Sequence, residues 1–130
     1  AVGATGDVAN TDFDYAATGD SNILTFTQGA AATATAGNQD FAITGSSNDI
    51  NATCEVVGCV NNWTVTGSSN DIDTTQTGNA DHSITATITG STNNIDVDQT
   101  STGGSTSDIL VITSTTSNGT IDIDQCASGC

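Results

Sequence analysis

The sequence predicts an all-β fold: a β-solenoid of about five strand–turn–strand rungs, with two facing parallel sheets and little or no helix. Three observations carry this. A pattern of Gly, two residues, Asn, one residue, an apolar residue, three residues and Gln recurs as Gly19–Asn22–Leu24–Gln28, Gly67–Asn70–Ile72–Gln76 and Gly90–Asn93–Ile95–Gln99. Gly45–Asn48–Ile50–Cys54 repeats it with Cys in place of Gln, and a looser fifth copy runs from Ser114 to Ile121 and Gln125 with two extra residues assigned to its turn. The anchors at 19, 45, 67, 90 and 114 lie 26, 22, 23 and 24 residues apart, a period that means one supersecondary unit copied and stacked. Second, apolar residues alternate with polar ones on both sides of each anchor. Third, no segment keeps a 3.6-residue period.

Taken in order, rung one sets Phe13, Tyr15 and Ala17 before its Gly and Leu24 and Phe26 after it. Rung two has Phe41 and Ile43, then Ile50 and Ala52; rung three has Trp63 and Val65, then Ile72 and Thr74. Rung four has Ile84, Ala86 and Ile88, then Ile95 and Val97; rung five has Leu110 and Ile112, then Ile121 and Ile123. Alternation of β-branched and aromatic residues indicates strands with one buried face. The Gly–Ser–Ser–Asn type of turn joins the two strands, since Gly and Asn tolerate positive φ and Ser side chains satisfy turn amides. Asn22, Asn48, Asn70 and Asn93, and Gln28, Gln76, Gln99 and Gln125, share the inward parity. Stacked copies of these amides are expected to bond along the axis as inner ladders. The organisation is then residues 1–12 as an N-terminal cap or inter-subunit segment, 13–125 as the solenoid, and 126–130 as a Cys-containing tail.

The chain has no Lys, Arg or Pro and a formal charge of −15. Phosphate binding depends on cationic side chains, so no nucleic-acid partner is expected. No run reaches the roughly 18 apolar residues of a membrane span, so no membrane insertion is expected. Unpaired carboxylates repel one another, which favours salty or divalent-rich surroundings. A start at Ala1 followed by small residues reads as a mature chain after signal-peptide removal. The cysteines form two close pairs, read as disulfides of a secreted protein in preference to zinc ligands, because His82 is the only histidine. Cys54–Cys59 should close the corner between rungs two and three. Cys126–Cys130 should pin the tail unless the tail reaches a neighbouring subunit. Cys54 and Cys126, three rungs or about 14 Å apart, are too distant for a bond within one subunit.

The Gly–x–x–Asn–x–apolar–x–x–x–Gln pattern resembles the repeat of curlin, the major subunit of curli fibres, over residues 13 to 125. It departs from curlin two positions before each Gly, where a second Gln is usual and this chain has Ala17, Ile43, Val65, Ile88 and Ile112. The resemblance implies a strand–turn–strand β-solenoid that polymerises into an extracellular, cell-surface fibre of functional-amyloid type, serving adhesion or a biofilm matrix.

Independently of that resemblance, stacked repeats without a helical or charged cap have two open ends, each a template for another copy. The expected partner is the chain itself, joined head to tail, with unknown secretion or nucleation partners. The interface is expected to use Phe13, Tyr15, Leu24 and Gln28 at one end and Leu110, Ile112, Ile121, Ile123 and Gln125 at the other. The alternative is a monomeric solenoid that binds ice or another ordered surface. Its carrier is the outward Thr column Thr18, Thr44, Thr66, Thr89 and Thr113, flanked by Ala16, Ala42, Thr64, Thr87 and Val111. No enzyme is expected, because one His without Lys or Arg leaves most acid–base and oxyanion devices missing. His82 is assigned to a solvated corner. No cofactor is expected, with one exception. Asp96, Asp98, Asp122 and Asp124 form an outward two-by-two array, which is either a solvated acidic face or a calcium site. Asn51, Asn62 and Asn118 begin glycosylation acceptor patterns.

Overall fold

The computed structural model describes residues 2–6, 12–28, 35–55, 57–78, 82–101, 108–115 and 117–127. Its strands are β1 (Val2–Gly6), β2 (Asp12–Thr18), β3 (Ile23–Gln28), β4 (Thr35–Thr44), β5 (Asp49–Cys54), β6 (Val57–Thr66), β7 (Asp71–Gly78), β8 (Ser83–Thr89), β9 (Asn94–Ser101), β10 (Ile109–Thr115) and β11 (Thr120–Ala127). The odd strands form one parallel sheet in the order β1-β3-β5-β7-β9-β11, and the even strands form a second in the order β2-β4-β6-β8-β10. Each neighbour in a sheet is the same half of the next repeat, which is what a β-solenoid requires. Among the described residues there is no helix, hence none long and apolar enough to cross a membrane.

The alternation sets the core. Leu24, Ile50, Ile72 and Ile95 stack in register on the odd sheet, and Ile43, Val65 and Ile88 stack on the even one. All are buried. Aromatic residues fill the first three rungs: Tyr15, Phe41 and Trp63 occupy one column, and the rings of Phe41 and Trp63 meet edge to face at 5.6 Å. Trp63 is 3% exposed while Thr66 and Thr89 face solvent. A one-residue slip would exchange those faces.

Positive φ falls on the anchor Gly and on the residue before Asn (Ser21, Ser47, Ser69 and Thr92), not on the Asn expected there. The Asn amide is committed to the interior, so the left-handed step moves back one residue. The turns themselves stack: Gly19 N–H donates to the Thr44 carbonyl at 2.9 Å, and Ser21 N–H to the Ser46 carbonyl at 2.8 Å.

The fifth rung departs from its expected alignment. Thr115, not Thr113, pairs with Thr89; Thr113 lies beside Thr87, Val111 beside Thr85 and Ile112 beside Ala86. The turn of rung five therefore has the standard length, and β10 matches β8 residue for residue, so the two extra residues lie in neither. A shift of two keeps every side chain on its face, which is why alternation alone did not expose it. Of residues 1–12, the structure describes 2–6 and Asp12, the first residue of β2. Val2–Gly6 form an extra strand on β3, with Val2 beside Leu24 and Gly6 beside Gln28. At the other end β11 runs through Cys126 and Ala127, so the assigned tail begins inside the strand.

Candidate functional site

Both interior ladders follow the odd sheet, the Asn ladder at the turn just before each strand and the Gln ladder within it. Nδ2 of Asn22, Asn48 and Asn70 donates to Oδ1 of Asn48, Asn70 and Asn93 at 3.0, 2.9 and 3.0 Å. Nδ2 of Asn48 and Asn70 also donates to the carbonyls of Gly45 and Gly67 at 2.7 and 2.9 Å, which ties each ladder member to its own turn. The Gln ladder runs the opposite way: Gln125 Nε2 donates to Gln99 Oε1 at 2.8 Å and Gln99 Nε2 to Gln76 Oε1 at 2.9 Å. Gln76 Nε2 also reaches the Ser83 carbonyl at 3.2 Å, and Gln125 Nε2 the Asp108 carbonyl at 3.3 Å, bridging the two sheets. The ladder is interrupted at rung two, where Cys54 bonds Cys59 with a Cα separation of 6.3 Å. Gln28 Oε1 is instead reached by Gln39 Nε2 at 2.9 Å. Cys126 is also disulfide-bonded; Cys130 lies outside the described residues.

The two ends are not alike. At the C-terminal end β10 and β11 are both edge strands. Ile121 and Ile123 sit in register with Ile95 and Val97, but they are 45% and 44% exposed where their partners are 1%. They are core positions lacking the next layer, and Leu110, Ile112 and Gln125 lie on the same end. At the N-terminal end Phe13 and Tyr15 are half-buried on the edge strand β2. Leu24 and Gln28, expected at that end's surface, are buried, because β1 occupies the edge of β3.

The acidic residues lie in outward columns. Asp96 pairs with Asp122 and Asp98 with Asp124 in register. The two columns are separated by about 7 Å, and among the described residues no three His, Cys, Asp or Glu side chains gather as a metal site requires. Asp73, beside Asp96 on the strand below, has its pKa raised above the usual carboxylate value by partial desolvation and then by the charges of Asp71, Asp96 and Asp49.

His82 is not at a solvated corner: it is 1% exposed. It continues the inward column of Cys59, whose N–H donates to His82 Nδ1 at 3.2 Å, placing the neutral ring's proton on Nε2. Asp108 Oδ1 accepts from the His82 backbone N–H at 3.0 Å and from Ser101 Oγ at 2.7 Å. A serine–histidine nucleophile needs the ring nitrogen on the hydroxyl. Here the hydroxyl is held by the carboxylate, so the cluster fastens a corner. Asp108 escaped sequence reasoning because no repeat element marks it.

Asn51, Asn62 and Asn118 are exposed. The amide nitrogen of Asn62 is engaged, donating to Asp40 Oδ1 at 2.8 Å.

Comparison with protein-family models, with curated proteins and with solved structures returns no match.

Proposed function

We propose that this chain is a secreted structural subunit that polymerises head to tail into an extracellular, curli-like filament. One observation carries the reading: the C-terminal rung leaves Ile121 and Ile123 about half exposed at positions that are fully buried one rung below. Among the described residues both sheets end there with an edge strand, a template for another strand pair. A disulfide is compatible with an oxidising, extracellular compartment. The role is structural rather than catalytic, in line with the single buried histidine. The contact is heterologous and builds an open filament when its rotation does not close a ring. Negative-stain imaging and sedimentation of the purified chain in salt test it. Filaments are expected, and Ile123→Pro, which removes an edge amide, should abolish them while the interior rungs stay folded. A wild-type chain that stays monomeric at high concentration rejects the reading.

The corrected register favours one second reading, binding to ice or another ordered surface. Thr18, Thr44, Thr66, Thr89 and Thr115 form an unbroken outward column, and the adjacent column holds Thr64, Thr87 and Thr113. Ala16 and Ala42 in that second column lie in a shallow depression of about 530 Å³ that runs from rung one to Asn62 and Thr64 at the edge of rung three. The flat Thr face is thus confined to rungs three to five. Thermal hysteresis of the monomer, lost on Thr87→Lys, would establish this reading.

A further inference from the structure

Among the described residues, strand β1 extends the odd sheet one step beyond β3, while β2 ends the even sheet. The two sheets therefore end at different levels here. At the opposite end they are flush, because β10 and β11 are the halves of one rung. A second copy offering β10 and β11 together cannot pair with β2 and β1 at once. If its β11 pairs with β1, its β10 is left one strand spacing, about 4.8 Å, short of β2. It can pair with β2 and β3 together only where β1 is absent.

We propose that β1 occupies the docking site for the terminal rung of a second copy of this chain, and that copies join when the β11 of one displaces β1 from the β3 of the next. This rests on the filament reading above and specifies its joint. Register compares the two occupants directly. On β3, the positions beside Leu24, Phe26 and Gln28 are held by Val2, Ala4 and Gly6. Stacked rungs would put Ile121, Ile123 and Gln125 there instead. These are larger apolar residues, plus an amide that joins Gln28 to the inner ladder. The incoming strand also has eight residues against five, two of the five being Gly, which weakens a strand interior.

The charges select the same joint. Inside the solenoid, carboxylates face carboxylates at Asp14/Asp40, Asp49/Asp71, Asp73/Asp96, Asp96/Asp122 and Asp98/Asp124. At the proposed joint Asp122 would meet Thr25, Asp124 would meet Thr27 and Asp14 would meet Val111, so no carboxylates face each other. A two-fold pairing of two C-terminal rungs would instead set Asp122 and Asp124 of one copy against those of the other, which is repulsive. Rung one is the one end that accepts rung five without adding like-charge contacts.

The test compares the full chain with a chain lacking residues 1–7, both with the Cys54–Cys59 bond verified. Assembly of the truncated chain at a critical concentration at least tenfold lower supports the proposal. Equal or weaker assembly of the truncated chain overturns it and leaves the filament reading intact. Absence of filaments from both chains overturns both. Hydrogen exchange on full-length filaments decides the matter should the truncated chain not fold. Val2–Gly6 should lose amide protection on assembly while Ile23–Gln28 keep theirs, and continued protection of Val2–Gly6 overturns the proposal.

Discussion

The carbonyl oxygen of Gly45 lies 1.7 Å from the point where a Cβ on Gly67 would sit. The same approach recurs at 1.8 Å between Gly19 and Gly45 and at 1.6 Å between Gly67 and Gly90. Glycine at these anchors is thus a packing requirement between rungs, added to the positive φ of the turn. Gly67→Ala should cost about 2–4 kcal/mol, because backbone on the adjacent rung must move. Gly19→Ala meets no atom within 4 Å at its Cβ and should cost only the conformational part, about 1–2 kcal/mol. Chemical denaturation of the two variants under non-assembling conditions checks the order; equal losses would remove the stacking argument.

Asn70 donates to Asn93 and Gly67 and accepts from Asn48. Asn70→Ala leaves buried amide partners short of bonds and should destabilise by about 3 kcal/mol. Its loss should exceed that of Asn22→Ala, at the open end of the ladder.

Asn61 is the opposite case. It is fully buried, and among the described residues neither its amide nitrogen nor its oxygen has a partner. Asn61→Leu, close in volume, should raise stability by about 1–2 kcal/mol by relieving that desolvation. A lower melting temperature would indicate that the amide is satisfied in solution.

Asp73 supplies a pH dependence. Its folded pKa is raised above the ordinary value of 3.8, so the folded state holds the proton more tightly than the unfolded state. Its contribution to stability is fully present below the unfolded pKa and lost as pH rises through the raised folded value. The melting temperature should therefore rise on acidification from neutral pH toward about 4, less so in Asp73→Asn. At neutral pH that variant should melt higher than wild type, with the difference shrinking in high salt.

The Cys54–Cys59 bond replaces one rung of the Gln ladder. Cys54→Ala with Cys59→Ala should cost about 2 kcal/mol for the short loop released. Cys54→Gln with Cys59→Ala returns the amide that rungs three to five carry and should recover about 1 kcal/mol of that loss. Identical melting of the two double variants would mean the ladder cannot pass through rung two.

Read alone, the sequence determined the architecture, because a parallel stack makes each residue's environment the same residue type one repeat away. Gly19 to Gly90, Asn22 to Asn93 and the alternating core could therefore be placed from periodicity. It also placed Cys54 opposite Cys59, since five residues cannot reach far. The tertiary structure decided what periodicity does not encode. A two-residue shift in rung five preserves inward and outward faces, so only the backbone pairing of Thr115 with Thr89 reveals it. His82 is buried because Cys59 extends the inward column around a corner that carries no repeat mark. Val2–Gly6 pair with β3 through backbone groups common to every residue, so their side chains announce no partner. Which strands form the edges among the described residues is decided by that pairing.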